Sequence, residues 1–328
     1  MSAAFCLKGV WIMRDVLLQL RNVTKHFSQT EPGAQGVKAV DGISLDIFRG
    51  ETLGLVGESG CGKSTLGRVI LRLLDITSGQ VLFEGQDVFK LRSPQLKSLR
   101  KQMQLIFQDP YACLNPRLRI EDIIAEPLKF HGNPGRKETR EIVRKIMVEV
   151  GLHPDMGRRF PHELSGGQQQ RVGIARALVL SPKFIVCDEP VSALDVSVQA
   201  QILNLLTELK EQRGLTYLFI SHNLSVVHHL CDRIAVMYLG RIVEIADKET
   251  LFRNPLHPYT QGLISAIPSL ETNPRQRRID LTGDIPSPGL SSAGCSFCPR
   301  CRHAGEPCQQ QAPALQEVEP GHFVACHR

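Results

Sequence analysis

The sequence predicts an α/β fold with a mostly parallel sheet, and three observations lead to this prediction. First, the apolar run 52–56 precedes a glycine-rich loop, Gly57 to Ser64, and a helical pattern follows from Thr65 to Leu74. Second, strand-like and helix-like segments alternate through the middle of the chain, which is typical of parallel sheets covered by helices. Third, polar residues follow several strand-like runs, at the sheet edge where ligands bind in such folds.

The loop reads G-E-S-G-C-G-K-S, a pattern that wraps phosphate groups with backbone N–H groups ahead of a helix N-terminus. Lys63 is expected to reach the β- and γ-phosphates, and Ser64 is expected to hold Mg²⁺. A chance glycine-rich loop is the alternative, but the strand before it and the helix after it argue against chance. The residues expected to contact a nucleotide here are Gly57, Ser59, Gly60, Cys61, Gly62, Lys63, Ser64 and Thr65.

Length and composition describe an ordinary globular chain, long enough for about two domains. The 328 residues are 42% hydrophobic and 22% charged, and the net charge is +6. This charge is modest and is not concentrated in a basic stripe, so no nucleic-acid partner is expected. No uncharged apolar run of roughly 18 residues or more appears, so the chain is not expected to cross a membrane by itself.

Residues 1–15 are interpreted as an N-terminal extension, with Met1 and Met13 as alternative starts. They lack a charged leader and a clear small-residue cleavage site, so no secretory signal is expected. Strands are then expected over residues 16–23 and 39–48, the second of which alternates apolar and polar residues. Phe27 follows the first strand, and either core packing or stacking on an adenine ring fits it.

A helical subdomain is expected to interrupt the sheet. Residues 105–108 read as a buried strand, and the chain becomes helical and charged from about 109 to about 164. Gln108 lies at the hinge, either as a plain surface amide or as a group that senses Mg²⁺. One helical face of this stretch, ended by Gly151, carries Ile142, Val143, Ile146, Met147 and Val150.

Two later strands end in polar residues suited to phosphate chemistry. The apolar run 184–187 leads to Asp188, expected to hold Mg²⁺, and to Glu189, expected to polarise the attacking water as a general base. His222 follows the run 217–220 and is expected to touch the γ-phosphate or the water. An ordinary acidic pair and a core histidine are the alternatives, and the phosphate-binding loop upstream favours catalytic roles.

The remaining segments complete the predicted domain. An amphipathic helix over 196–212 buries Ile202, Leu205, Leu206 and Leu209, and a hairpin follows over 234–245 around Gly240. From Asn254 onward the chain is rich in Pro, Gly, Arg and Cys, which predicts a separate, loop-rich tail.

A second anion-binding helix start, Leu164-Ser-Gly-Gly-Gln168, precedes a helical stretch. A single protein seldom needs two such ends for one phosphate chain. Together, the ordered motifs resemble the ATP-binding subunits of ABC transporters over about residues 16–250, which implies a P-loop NTPase core with an antiparallel β subdomain, an inserted helical subdomain and a C-terminal extension. The motifs are Gly57–Ser64, Gln108, Leu164–Gln168, Phe184–Glu189, Ser192–Asp195 and His222.

In that family two subunits enclose two ATP molecules between them. The resemblance therefore implies that the signature segment acts on the γ-phosphate held by a partner subunit, and that Asp195 couples the two sites. The family more often has tyrosine where this chain has Phe27, and stacking survives that change. The signature residues implied to contact the partner's ATP are Ser165, Gly166, Gly167 and Gln168.

Three further stretches narrow the resemblance to the ATPases of bacterial dipeptide and oligopeptide importers, especially the second of their two types. Those importers join two different ATPases, two membrane permeases and an external substrate-binding protein. The resemblance implies a peripheral subunit on the cytoplasmic face of the inner membrane, paired with a paralogous ATPase. The alternatives are import of nickel or another small solute, a soluble non-transport ABC ATPase and a non-hydrolysing regulator. The stretches are Phe107–Arg117, His257–Gln261 and Gly283–Pro288.

Five of the ten cysteines lie after residue 294. A nucleotide loop indicates a reducing compartment, so a metal site is expected rather than disulfides. The residues leave open an iron–sulfur cluster, Zn²⁺ through the Cys295/Cys298 or Cys298/Cys301 pair, and free thiols. The resemblance implies a structural [4Fe–4S] cluster on Cys295, Cys301, Cys308 and Cys326, with Cys298 additional.

The expected domain organisation has three regions. Residues 1–15 form the N-terminal extension, and residues 16–253 form the ABC ATPase domain with the helical subdomain inserted. Residues 254–328 form a peptide-importer-type extension that carries the cysteines.

Overall fold

The structure is a computed structural model that describes residues 3–7, 10–27, 36–132, 134–267, 279 and 294–328. The chain divides into two compact bodies. The first body comprises Met1–Phe89 and Ile220–Arg328, and the second body comprises Lys90–Phe219. Among the described residues, no helix is long and apolar enough to cross a membrane.

The first body begins with antiparallel strands and continues into the strand and helix that flank the phosphate loop. β1 pairs with β2, and a separate antiparallel sheet has the order β4-β3-β6-β7. This sheet is the predicted antiparallel β subdomain. The elements are β1 (Ala3–Leu7), β2 (Val10–Arg14), β3 (Val16–Phe27), β4 (Val37–Phe48), β5 (Thr52–Val56), α1 (Lys63–Ile70), β6 (Ser78–Phe83) and β7 (Gln86–Asp87).

β3 extends further than the sequence predicts, to Phe27 instead of residue 23. Thr24, Lys25 and His26 are polar and break the alternating pattern that marks a strand. Pairing with β4 nevertheless continues to the end, where Phe27 lies opposite Val37. Backbone hydrogen bonds to the neighbouring strand therefore determine that this segment is a strand, because they satisfy the main-chain N–H and C=O groups whatever the side chains are.

The second body contains most of the helices. β8 and β9 pair in parallel, and the helical stretch predicted over about 109–164 holds α3, α4 and α5. The elements are α2 (Ser93–Gln102), β8 (Met103–Ile106), α3 (Pro110–Cys113), α4 (Ile120–His131), α5 (Arg136–Glu149), α6 (Gly166–Leu178), β9 (Phe184–Asp188), α7 (Val196–Arg213) and β10 (Thr216–Ser221), which ends in the first body.

Apolar periodicity in the sequence predicts α7 but not α2. The four leucine and isoleucine residues expected on one face of α7 are all buried, and the helix ends at Gly214 in a left-handed conformation. Periodicity does not predict α2, because Leu99 is its only buried residue and the helix shows no apolar face.

The chain then returns to the first body and adds strands to the sheet that contains β5. Within this body the strand order of that sheet is β13-β14-β12-β11-β5, with β11 parallel to β5 and the other pairs antiparallel. The predicted hairpin around Gly240 is β11–β12. The elements are α8 (Leu224–Leu230), β11 (Arg233–Tyr238), β12 (Arg241–Asp247), α9 (Lys248–Arg253), α10 (Pro258–Ser265), α11 (Glu306–Gln310), β13 (Gln316–Glu319) and β14 (His322–Val324).

The expectation of a separate tail after Asn254 is wrong, because β14 pairs with β12. Glu244 of β12 is fully buried and accepts hydrogen bonds from the backbone N–H groups of Leu256 and His257, at 2.7 and 3.0 Å. His322 of β14 lies 2.7 Å from the same carboxylate. Burial lowers the pKa of His257 to about 4, against the opposing effect of Glu244. The terminal segment is thus secured by buried polar contacts, which its composition does not reveal.

Candidate functional site

The phosphate loop links β5 to α1, and its shape requires glycine at two positions. Gly57 has φ 155° and Gly62 has φ 107°, conformations that other residues rarely adopt. A Cβ at Gly57 would collide with the carbonyl oxygen of Met237, and one at Gly62 with that of Ala39. The loop therefore lies directly against the neighbouring main chain. Its tip residues Ser59 and Gly60 are exposed, while Ser64 and Thr65 lie in the first turn of α1 and are half-buried.

Lys63 lies inside the loop rather than on the surface. Its side chain is buried, and Nζ donates to the carbonyl oxygens of Gly57 at 2.7 Å and Glu58 at 2.9 Å. Burial also raises the pKa of the neighbouring Cys61 thiol, although the ammonium of Lys63 opposes this effect. The loop thus encloses a fixed positive charge at the start of α1, an arrangement suited to binding phosphate.

Glu58 is held from two sides by Tyr259 and Arg300, neither of which was predicted as a site residue, although Tyr259 lies in the stretch His257–Gln261. Its backbone N–H donates to Tyr259 Oη at 2.9 Å, and its carboxylate accepts two bonds from Arg300, at 2.8 and 3.0 Å. These hydrogen bonds raise the pKa of Arg300. The sequence held two signals: Tyr259 lies in the stretch His257–Gln261, and an acidic side chain in an anion-binding loop calls for a nearby cation.

Two other predicted site residues of the first body are exposed. Phe27 is 39% exposed, and Lys25 Nζ lies 5.0 Å from the centre of its ring. His222 is exposed immediately after β10. Exposure contradicts the core-packing alternatives for both side chains, while their predicted contacts with adenine and the γ-phosphate stay predictions.

In the second body the structure brings Gln108 and Glu189 together. Gln108 is exposed, and its Nε2 donates to Glu189 Oε2 at 3.0 Å, while its predicted role in sensing Mg²⁺ stays a prediction. Asp188 closes β9 and is 5% exposed. Glu189 has φ 46°, a strained conformation for a residue other than glycine, and Ser192 donates to its carbonyl oxygen from both N–H and Oγ. Such strain, of order 1–3 kcal/mol, is often found at functional sites.

The signature segment is a capped helix start. Ser165 caps α6: its Oγ accepts from the N–H of Gln168, and its own N–H donates to Gln168 Oε1 at 3.0 Å. A Cβ at Gly167 would collide with Val198 of α7. Ser165 is exposed, as is Asp195, which directly precedes α7. Gly166 follows as the first residue of α6, so the segment presents a helix N-terminus to its surroundings.

The late cysteines gather around one cavity of about 220 Å³. Burial raises the pKa of Cys295 and Cys301, and the neighbouring thiols of Cys308 and Cys326 add to this effect. Within the described ranges, no group of three or more His, Cys, Asp or Glu side chains is placed to hold a metal ion. The cysteines that line the cavity are Cys295, Cys298, Cys301, Cys308 and Cys326.

Two known families match this chain. The family described as ABC transporter matches residues 40–192, and the one described as oligopeptide/dipeptide transporter, C-terminal region, matches residues 243–308. The chain is 51% identical to the oligopeptide transport ATP-binding protein AppF of Bacillus subtilis, over 96% of this chain and 98% of AppF. It is 52% identical to the putative oligopeptide transport ATP-binding protein YkfD of the same organism, over 95% of each chain.

Solved structures show the same fold. The cbiO1 protein of Clostridium perfringens, part of the ABC transporter complex cbiONQ, aligns with a TM-score of 0.65 and 28% identity. That alignment covers 73% of this chain and 92% of cbiO1. The ATP-binding cassette MJ0796, in a dimeric state bound to ADP and Pi, aligns with a TM-score of 0.64 and 31% identity. It covers 70% of this chain and 98% of that structure.

Proposed function

This chain belongs to the ABC transporter ATPases that carry the oligopeptide/dipeptide-type C-terminal region, and on that premise we propose that it energises peptide import by hydrolysing ATP. One observation carries the proposal: the chain aligns over 96% of its length with an oligopeptide transport ATP-binding protein. The phosphate loop and the Gln108–Glu189 pair support hydrolysis rather than mere binding. Import of nickel or another solute, and a soluble role, have no comparable support.

In the proposed reaction the protein positions charges more than it makes bonds. Lys63 and the loop N–H groups hold the β- and γ-phosphates, Phe27 stacks on adenine, and Ser64 with Asp188 hold Mg²⁺. Bound Mg²⁺ supplies charge neutralisation on the phosphoryl oxygens.

Hydrolysis itself is assigned to Glu189, which accepts a proton from the water that attacks the γ-phosphorus while ADP leaves. His222 contacts the γ-phosphate or that water. Because Gln108 donates to the same carboxylate, a movement of the helical stretch that displaces Gln108 changes the hydrogen bonding of the base. We propose this as the link between hydrolysis and the membrane subunits.

The active form is proposed to be a pair with a paralogous ATPase, in which each signature segment completes the partner's site. The exposed Ser165 at the start of α6 and the dimeric state of MJ0796 support this pairing. Two permeases and a substrate-binding protein complete the proposed importer, with this subunit on the cytoplasmic face of the inner membrane. Asp195, exposed at the start of α7, is proposed to couple the two sites.

Purification of the tagged chain from mild-detergent membranes of its host is expected to recover a second ATPase and two integral membrane proteins. ATP hydrolysis by that assembly is expected to rise when a peptide-loaded binding protein is added. The assembly with an empty binding protein is the control. Recovery of the chain without membrane proteins would contradict the proposed importer. So would a rate of ATP hydrolysis that is the same with the peptide-loaded and the empty binding protein.

We propose a [4Fe–4S] cluster with a structural role for the cysteine cavity. Five cysteines line one cavity, and cysteine thiolates are the ligands that hold iron–sulfur clusters. Cys295, Cys301, Cys308 and Cys326 are the proposed ligands, and Cys298 is the additional cysteine.

Anaerobically purified protein is expected to be brown, with broad absorption in the blue and about four iron atoms per chain. The double variant Cys295→Ser/Cys308→Ser is expected to lose colour and iron together. Cys113→Ser is the matched control, since Cys113 lies outside the cavity and should leave both unchanged. One zinc per chain without colour would reject the cluster.

A further inference from the structure

We propose that Arg300 and Tyr259, which lie in the C-terminal extension, are positioning residues that keep the phosphate loop competent to bind ATP. The inference rests on the proposed ATPase function and adds two residues to it. It concerns the first body alone, since the loop, Tyr259 and Arg300 all belong to that body.

The charge of Glu58 makes such residues necessary. Glu58 is the second residue of the phosphate loop, so its carboxylate is part of a segment that binds a polyanion. An unpaired carboxylate there would repel the phosphates. Arg300 cancels that charge with two hydrogen bonds, and the pair is largely removed from solvent, with side chains 5% exposed for Arg300 and 22% for Glu58.

The main chain of Glu58 is fixed at two further points. Its N–H donates to Tyr259 Oη, and its carbonyl oxygen accepts from Lys63 Nζ. The loop conformation and the position of Lys63 therefore depend on where Glu58 is held. Because binding by a preformed site avoids an ordering cost, loosening Glu58 is expected to weaken nucleotide affinity.

Aromatic packing surrounds Tyr259 and leads to the segment that carries Arg300. Tyr259 is fully buried, and its ring lies 4.7 Å from that of Tyr238 and 5.5 Å from that of Phe297, centre to centre. Phe297 directly precedes the 3₁₀ turn Cys298–Arg300, which presents Arg300 to the loop. The cysteine-bearing segment thus places Arg300, and through it the extension acts on the ATP site.

The test is titration of the full chain with a fluorescent ATP analogue in the presence of Mg²⁺. Arg300→Met is expected to raise Kd about tenfold, because a charge-assisted bidentate contact is lost and Glu58 is left unpaired. Arg300→Lys keeps the positive charge, so its affinity for the ATP analogue should fall by no more than about threefold. Tyr259→Phe, which removes only Oη, should also lose about threefold. The exposed Arg302, in the same segment, provides the matched control Arg302→Met with unchanged affinity.

The double variant Arg300→Met/Glu58→Gln decides between positioning and general damage. Removing the unpaired charge should recover most of the affinity lost in Arg300→Met, whereas misfolding would not be repaired. Equal affinities of wild type and Arg300→Met, or a double variant no better than Arg300→Met, would overturn the inference. Absence of binding by the wild type would instead contradict the proposed ATPase function.

Discussion

Replacing Glu189 with glutamine is expected to lower ATP turnover by roughly 100- to 10,000-fold, the range that a general base contributes. The amide cannot accept a proton from the attacking water. It keeps the shape of the side chain, and its oxygen can still accept from Gln108 Nε2. ATP binding should therefore persist, so the variant should hold ATP without hydrolysing it. Phosphate release by the assembled transporter and retention of labelled ATP measure the two effects separately.

The control for this prediction is Glu208→Gln, the same chemical change at an exposed position of α7. It should leave turnover unchanged. Near-normal phosphate release by the Glu189→Gln transporter would show that Glu189 is not the base. Loss of ATP retention together with turnover would instead indicate damage to the binding site.

Replacing Lys63 with methionine is expected to weaken ATP binding by roughly 10- to 100-fold, because a charge-assisted contact with the phosphates contributes roughly 1.5–3 kcal/mol. The buried Nζ also bridges the carbonyl oxygens of Gly57 and Glu58, so the loop loses an internal support. Methionine fills similar space, which limits the disturbance of packing. The affinity of the full chain for ATP, titrated with Mg²⁺ present, measures the effect.

Lys145→Met is the matched control, since Lys145 is an exposed residue of α5. The affinity of the Lys145→Met variant for ATP should equal that of the wild type. An unchanged affinity in Lys63→Met would contradict the role assigned to this lysine. Because Lys63→Met acts on binding and Glu189→Gln acts on turnover, the two variants should separate the two steps of the reaction.

The two residues, Lys63 and Glu189, also differ in how much of their environment the sequence could predict. The role of Lys63 follows from its place in a local motif, whereas the environment of Glu189 depends on a residue 81 positions away in sequence. Gln108 and Glu189 each follow a strand, β8 and β9, and these strands pair in parallel. Parallel neighbours bring the residues after their carboxyl ends to one edge, which is why a strand-end pattern predicts such a meeting.

Local patterns were sufficient wherever one segment determines its own conformation. The phosphate loop, the strand that ends at Asp188, the helix start at Leu164–Gln168 and the apolar face of α7 were all predicted from spacing and residue type. Each depends on neighbours a few residues apart: glycine angles, a capping box, or a repeat of apolar side chains. The sequence by itself therefore determined the fold class and the order of the nucleotide motifs.

Only the tertiary structure decided what the C-terminal extension does. Composition predicted a separate tail, but β14 pairs with β12, and Tyr259 and Arg300 contact Glu58 from 201 and 242 positions away. No periodicity records such contacts, because strand pairing and buried ion pairs join segments whose own patterns are unchanged by the meeting. Eight consecutive residues were enough to predict the phosphate loop, whereas the contacts by which Tyr259 and Arg300 hold it in place are visible only in the folded chain.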